Sequence, residues 1–331
     1  LSARDCAAAD SPVTSMIASQ FNTATSENAM KWERIHPAPG LYTFDDTDRF
    51  VAFCQRNGLK VIGHNLLWHQ QVPAWVFEDD EGNPVTRDVL LARLRDHIMT
   101  VAGRYRGQVV GWDVVNEALN EDGTLRDSPW RRIIGDDYIV KAFEYAREAD
   151  PGAELYYNDY YIENPDKRAG ALTIVRQLKS AGARIDGVGI QEHVSLAWPT
   201  LKELDDSIRA FAELGMKVMI TELDVNVLPD PAAGSAEISR RIANSPELDP
   251  YTTGLPPEIQ EQLARRYADL FGVYLKNRDV VTRVTFWGLN DRDSWLNNFP
   301  VFGRTNHPLL FDRDNKPKPA LKAVIDAAVE P

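Results

Sequence analysis

Glu117 and Glu222 each close a strongly apolar run of the chain, Val109 to Asn116 for the first and Lys217 to Leu223 for the second. Carboxyl groups at such ends sit partly desolvated, where their pKa values can be pushed apart, one kept protonated and one ionised. Cleavage of a glycosidic bond needs that division of labour: one acid protonates the leaving oxygen, and the other carboxylate attacks or stabilises the sugar cation. A single terminal glutamate is more often a cap or a salt-bridge partner. Two in matching positions, beside further polar run ends, reverse that reading.

The other run ends are Ser26-Glu27-Asn28, Gly63-His64-Asn65, Asn158-Asp159-Tyr160, Gln191-Glu192-His193 and Phe286-Trp287-Gly288. Such a ring of carboxylates, amides, histidines and aromatics suits a neutral, hydroxyl-rich substrate. Period-two alternation puts Glu222 with Asp224, and Gln191 with His193, on common faces if both runs stay extended. His193 can then bond the Glu222 carboxylate and be oriented by Asp224, although a lone histidine is more often a satisfied core residue. Asn116 and Glu117 are neighbours and reach the same substrate only if the backbone kinks or bulges between them. Glu27 and Lys31, four apart, read most simply as a surface ion pair. Trp68, Trp75, Trp287 and Trp295 are either loop pegs or stacking platforms for pyranose rings. No metal site is expected: His64 and His69 lack ligand spacing, and no Cys-x-x-Cys or Asp-rich loop occurs. Phosphate loops and a Gly-x-Ser-x-Gly elbow are missing, and no cofactor is called for.

The elements that must position these residues alternate. Short Val/Ile-rich runs predict seven strands: Phe21 to Thr25, Lys60 to His64, Val109 to Asn116, Glu154 to Asn158, Gly187 to Gln191, Lys217 to Leu223 and Val281 to Gly288. Helical patterns fill the gaps: Thr47 to Asn57, Arg87 to Tyr105, Tyr138 to Ala149, Lys167 to Ala181, Leu201 to Leu214 and Pro257 to Asn277, with Pro319 to Val329 last. Strand and helix in turn predict a parallel sheet with crossover helices, and the expectation is a single-domain (β/α)8 TIM barrel over residues 1–331. An eighth strand has room only ahead of Cys6, before a helix opened by Ser11-Pro12, so the first strand is short or truncated. The long irregular insertion from Asn226 to Pro256 follows the strand carrying Glu222 and is expected at the rim of the active-site face.

Composition narrows the partners. With 44% hydrophobic and 26% charged residues the chain can bury a full core. A net charge of −12 repels phosphate backbones and anionic lipid, which argues against nucleic acid and membrane surfaces. No stretch is apolar enough to span a bilayer, and the opening LSARDC has no signal-peptide pattern. A removed signal leaves no trace, so secretion or the periplasm is the expected compartment and the cytoplasm the alternative. Cys6 and Cys54 read as two free, partly buried thiols.

The stretches FNTATSENAMKW, GHNLLWHQQ, WDVVNEAL, YNDY, GIQEH, ITELDV and TFWGLNDRDSW together resemble family 10 glycoside hydrolases, the endo-β-1,4-xylanases, along nearly the whole chain. The resemblance implies retaining chemistry on xylan and xylo-oligosaccharides by a monomer, with Glu117 as acid/base and Glu222 as nucleophile. It implies that Glu27, Asn28 and Lys31 hold sugars on the non-reducing side, and that His64, Trp68, Asn116, Gln191 and His193 surround the sugar being cleaved. Trp287 and Trp295 would roof these subsites, and Tyr160 would be the platform for the leaving-group sugar. Two residues depart from the family pattern: Glu192 stands where Gly is common, and Tyr161 where Asn usually follows NDY. A β-1,4-glucanase on the same barrel, a non-catalytic carbohydrate-binding barrel and a purely structural barrel are the competing readings. The two glutamates speak against the second, and the polar run ends against the third.

Overall fold

The computed structural model describes residues 1–2, 5–6, 11–231, 236 and 239–329. Its contacts group into two compact units, Leu1–Asp159 with Ala169–Gly189, and Tyr160–Arg168 with Ile190–Pro331.

The first unit runs α1 (Pro12–Gln20), β1 (Thr23–Thr25), α2 (Trp32–Ile35), α3 (Asp45–Arg56), β2 (Lys60–Leu67), α4 (Arg87–Arg104), β3 (Val109–Asn116), α5 (Pro129–Ile134), α6 (Tyr138–Ala149) and β4 (Glu154–Asp159). It also holds most of α7 (Pro165–Ser180) and β5 (Gly187–Ile190). The strands lie in the order β1-β2-β3-β4-β5, with β1 to β4 pairing in parallel. Seven of the eight residues of β3 are buried, the near-continuous apolar pattern of a parallel strand covered on both faces. Helix α4 buries Leu90, Leu94, Ile98 and Val101, a stripe at helical spacing. Each such side chain contributes about 1.5–3 kcal/mol. Two glycines let large rings cross the sheet. A Cβ on Gly63 would stand 2.0 Å from the Trp112 ring, and one on Gly111 2.4 Å from that of Tyr156.

The second unit contains β6 (His193–Ser195), α8 (Leu201–Glu213), β7 (Lys217–Asn226), α9 (Pro257–Lys276), β8 (Val281–Phe286) and α10 (Pro319–Val329). Strand β7 pairs in parallel with β6 on one side and β8 on the other. A capping box between Thr200 and Glu203 starts α8, which buries Leu204, Ile208 and Phe211.

Most predicted elements stand within a few residues of their expected bounds, and three departures have physical causes. Among the described residues the eighth strand is β6. Leu1 and Ser2 form no strand, although Leu1 exchanges bonds with Thr25 and Glu27, and residues 3–4 of the strand expected ahead of Cys6 lie outside the described residues. Phe21 is the C-cap of α1, so β1 begins only at Thr23. The run Gly187 to Gln191 does not continue extended to His193: Glu192 has φ +62°, which ends β5 and lets β6 start afresh. The short helices α2 and α5 were not anticipated. Ser128 caps α5 and a proline occupies its first turn. Cys6 and Cys54 are free and buried as expected, and burial pushes their thiols up to about 11 and about 12.

Candidate active site

Glu117 belongs to the first unit. It follows the last residue of β3 and has φ +55°, the kink that joint action with Asn116 requires. A left-handed backbone costs a non-glycine residue on the order of 1 kcal/mol and persists only where neighbours enforce it. Here Glu117 N donates to Asn158 O at 2.9 Å, and Arg126 Nε donates to Glu117 O at 3.3 Å. The carboxyl is buried. Trp68 Nε1 donates to its Oε2 at 2.8 Å and Asn116 Nδ2 to its Oε1 at 3.0 Å. These donors are themselves fixed: Trp130 Nε1 donates to Trp68 O at 2.8 Å, and Asn158 Nδ2 to Asn116 Oδ1 at 2.9 Å.

Lys31 joins this cluster. It is buried, which replaces the surface ion pair with Glu27 as its simplest reading. Its Nζ donates to Asn28 Oδ1 at 3.1 Å and stands 5.0 Å from the Trp68 ring. Glu27 is half-buried, its backbone N donating to Leu1 O at 3.0 Å. His64 is buried with Nδ1 2.9 Å from Asp113 Oδ2, a pairing that fixes the ring and leaves Nε2 toward Asn65.

Glu222 belongs to the second unit. Its N donates to Gln191 O at 2.9 Å, and Asp224 N donates to Glu192 O at 3.3 Å, so β7 is pinned on both sides of the kink at Glu192. His193 lies between the two acids of β7. Its Nε2 is 3.3 Å from Glu222 Oε2 and its Nδ1 3.1 Å from Asp224 Oδ2, the relay that the alternation of Glu222 and Asp224 suggested. Burial alone would lower the His193 pKa, but the Asp224 and Glu222 carboxylates outweigh it and hold the imidazole up at about 10. A cation beside Glu222 favours its carboxylate form. Trp295 Nε1 donates to Asp224 Oδ2 at 2.7 Å, and its ring lies 4.7 Å from that of His193. Trp287 N donates to Leu223 O at 3.0 Å, placing its residue next to β7.

A cavity of about 270 Å³ opens in the second unit beside His193 and Asp224. Tyr160, Tyr161, Trp198 and Phe299 are among its walls, as are Asp230 and Ala236 of the long insertion. The insertion therefore reaches the face that carries Glu222, as its position after β7 predicted; its residues 232–235 and 237–238 lie outside the described residues. Tyr160 is 1% exposed, and Lys167 Nζ stands 3.3 Å from its ring.

Contacts thus gather Asn28, Lys31, Trp68, Asn116 and Glu117 in one cluster, and Gln191, His193, Glu222, Asp224 and Trp295 in another. Trp75, the remaining stacking candidate, packs instead on His36 and Arg93. The sequence reading passed over Asp113, which orients His64, and named Asn158 only among the run ends, not as the partner that orients Asn116. An aspartate inside the apolar run of β3 was the available signal for the first.

Two carboxyls on a parallel β/α fold, one just after β3 and bonded by the neutral Trp68 and Asn116, the other within β7 and set against a cation, match the division of labour of a glycoside hydrolase. The chain matches Glycosyl hydrolase family 10 over residues 2–327, and it belongs to that family. Its fold class is accordingly the (β/α)8 barrel. It is 46% identical over 317 residues to an endo-1,4-beta-xylanase A of Xylanibacter ruminicola, covering 96% of this chain and 86% of that one. With the endo-1,4-beta-xylanase of Geobacillus stearothermophilus it shares 43% identity, covering 96% and 94%. Among solved structures, a GH10 endoxylanase retrieved from a sugarcane soil metagenome superposes with a TM-score of 0.96 at 45% identity, covering 98% of this chain and 95% of the other.

Proposed function

We propose that Glu117 and Glu222 carry out the endo-hydrolysis of β-1,4-xylosidic bonds in xylan by double displacement. The observation behind the assignment is the contrast in their surroundings: neutral Trp68 and Asn116 donors on Glu117, a His193 cation with Asp224 behind it on Glu222. Glu117 protonates the leaving oxygen while Glu222 attacks the anomeric carbon and forms a xylosyl-enzyme. Glu117, now a base, takes a proton from water, which displaces Glu222 and restores the original configuration. His193 stays charged throughout and holds the nucleophile's rotamer.

Lys31, Asn28 and Glu27 hold sugars on the non-reducing side, and His64, Trp68, Asn116, Gln191 and His193 surround the xylose being cleaved. Trp287 and Trp295 roof these subsites, and Tyr160 stands on the leaving side. The selectivity for xylose is assigned to Lys31, Trp287 and Trp295, because exclusion of a hydroxymethyl group at C5 by a packed site is worth about 1–3 kcal/mol. The family match runs unbroken over residues 2–327, which supports one catalytic domain; the expected state is a monomer. Among the described residues no helix is long and apolar enough to cross a membrane. A polymeric substrate favours secretion or the periplasm as the compartment, with the cytoplasm the alternative for xylo-oligosaccharides.

Proton NMR of the first product released from xylohexaose tests the mechanism: the β-anomer must appear before mutarotation. Equal kcat/KM on matched xylo- and cello-oligosaccharides would remove the assigned selectivity.

A further inference from the structure

Tyr161 is a half-buried aromatic residue with φ +61°, a conformation that bulky side chains rarely take. Its ring stacks on that of Trp198 with centroids 4.5 Å apart and planes tilted by 32°. Trp198 is held just as firmly. Ser195 N donates to Trp198 O at 2.9 Å, and Trp198 N donates to Ser195 Oγ at 3.1 Å. Arg266, largely buried, closes the turn from behind, its Nε donating to Ser195 O at 3.1 Å and its Nη2 to Pro199 O at 2.7 Å. Strain in the backbone and clamping of a turn cost free energy, and neither ring is spent on filling the core. Both border the cavity that begins at His193 and Asp224.

We infer that the Tyr161–Trp198 pair is the stacking platform for a xylosyl unit on the leaving side, one that sits in this cavity beyond the bond being cut. Tyr160, at 1% exposure and with the Lys167 ammonium over its ring, has too little open face to serve a pyranose alone. The two half-buried rings supply that face, and their fixed geometry lowers the ordering cost of binding. At about 270 Å³ the cavity lies at the small end of ligand pockets, which fits one sugar ring rather than a run of them. Its walls match that chemistry: aromatic faces for the C–H side of the ring, with Asn226, Ser195 and Asp230 for hydroxyl groups. Continuity with His193, which touches Glu222, makes the occupant part of the same substrate chain. The inference rests on the xylan-cleaving reading above and adds the residues that set its leaving-side reach.

The test compares xylopentaose with an aryl β-xylobioside, whose leaving group carries no sugar. In Tyr161→Asn and in Trp198→Ala the ratio of kcat/KM on xylopentaose to that on the aryl substrate falls three- to tenfold, mostly through KM, and Trp198→Phe recovers much of it. Asparagine tolerates the left-handed backbone at 161, so this variant folds even where Trp198→Ala does not. An unchanged ratio in Tyr161→Asn overturns the inference, as does an equal loss on both substrates. The Glu222→Ala protein reports separately on the underlying reading: loss of activity on both substrates supports it, and activity retained on both overturns it whatever the ratio in Tyr161→Asn.

Discussion

His193 Nε2 lies 3.3 Å from Glu222 Oε2 while its other ring nitrogen faces Asp224, so the proposed nucleophile rests against a cation held in place by a second acid. Removing that cation makes Glu222 harder to ionise. In His193→Asn the acidic limb of the pH dependence of kcat/KM therefore moves to higher pH. An acidic limb that stays in place would separate His193 from the nucleophile's charge.

The same pair gives a stability signature. The His193 pKa is raised from 6.5 to about 10 in the folded chain, through Asp224 and Glu222 against the opposing effect of burial. Between those values the folded state holds a proton that the unfolded chain has released, so this stabilisation is complete below pH 6.5 and is lost as pH rises toward about 10. Urea midpoints of the parent and of His193→Asn should differ most near pH 6 and converge by pH 10. A constant difference across that range contradicts the assignment.

Glu192 offers a contrasting case. Burial, then repulsion from Glu163, raises its carboxyl pKa well above the usual range, against the lowering influence of Arg266, Tyr274 and His193. The folded chain keeps the proton after the unfolded chain has lost it, so this group costs stability as pH climbs above 4.5. Glu192→Gln removes the cost. Its stability relative to the parent should improve steadily from pH 4 to pH 8 in chemical denaturation, and a flat difference would show Glu192 to be ionised in the fold.

Gly63 tests the packing that carries Glu117. A Cβ there would stand 2.0 Å from the Trp112 ring, so Gly63→Ala forces the indole or the β2 backbone to move, at about 1–3 kcal/mol or more. Gly103, in the last turn of α4, has open space around a built Cβ, and Gly103→Ala should instead stabilise by about 0.5–1 kcal/mol. Thermal melts of the two variants should shift in opposite directions.

Alternation of apolar runs and amphipathic stretches was enough to predict β3, which Glu117 follows, and β7, which carries Glu222, because a parallel strand buried on both faces cannot hide its composition. The left-handed residues were less legible. Glu192 and Tyr161 take φ +62° and +61°, at the two positions where the chain departs from its family pattern of Gly and Asn. Those two types are the ones that adopt this backbone most easily, so the departures mark strain that a pattern of side-chain faces cannot register. The split of β5 from β6 followed from the same cause. Lys31 was misread as a surface residue because i,i+4 spacing says nothing of what covers a helix or loop. The Trp68 ring, 5.0 Å from the Lys31 Nζ, comes from 37 residues further along the chain.

The last prediction separates the two glutamates. A retaining mechanism requires their carboxyl groups roughly 5–5.5 Å apart, too close for water to attack directly, and a crystal structure with xylobiose bound measures that spacing. Glu222→Ala loses the covalent intermediate and nearly all activity on every substrate. Glu117→Ala behaves differently, because an aryl xylobioside with a good leaving group departs with little protonation. Its xylosyl-enzyme still forms, and the second step, without a base, becomes slow. Azide needs no deprotonation to attack. Added azide should therefore restore turnover of Glu117→Ala and yield a β-configured xylosyl azide. Rescue of Glu222→Ala with an α-configured azide is the complementary result, because azide then enters from the face that Glu222 has vacated. The opposite pairing of variants and anomers would exchange the two roles.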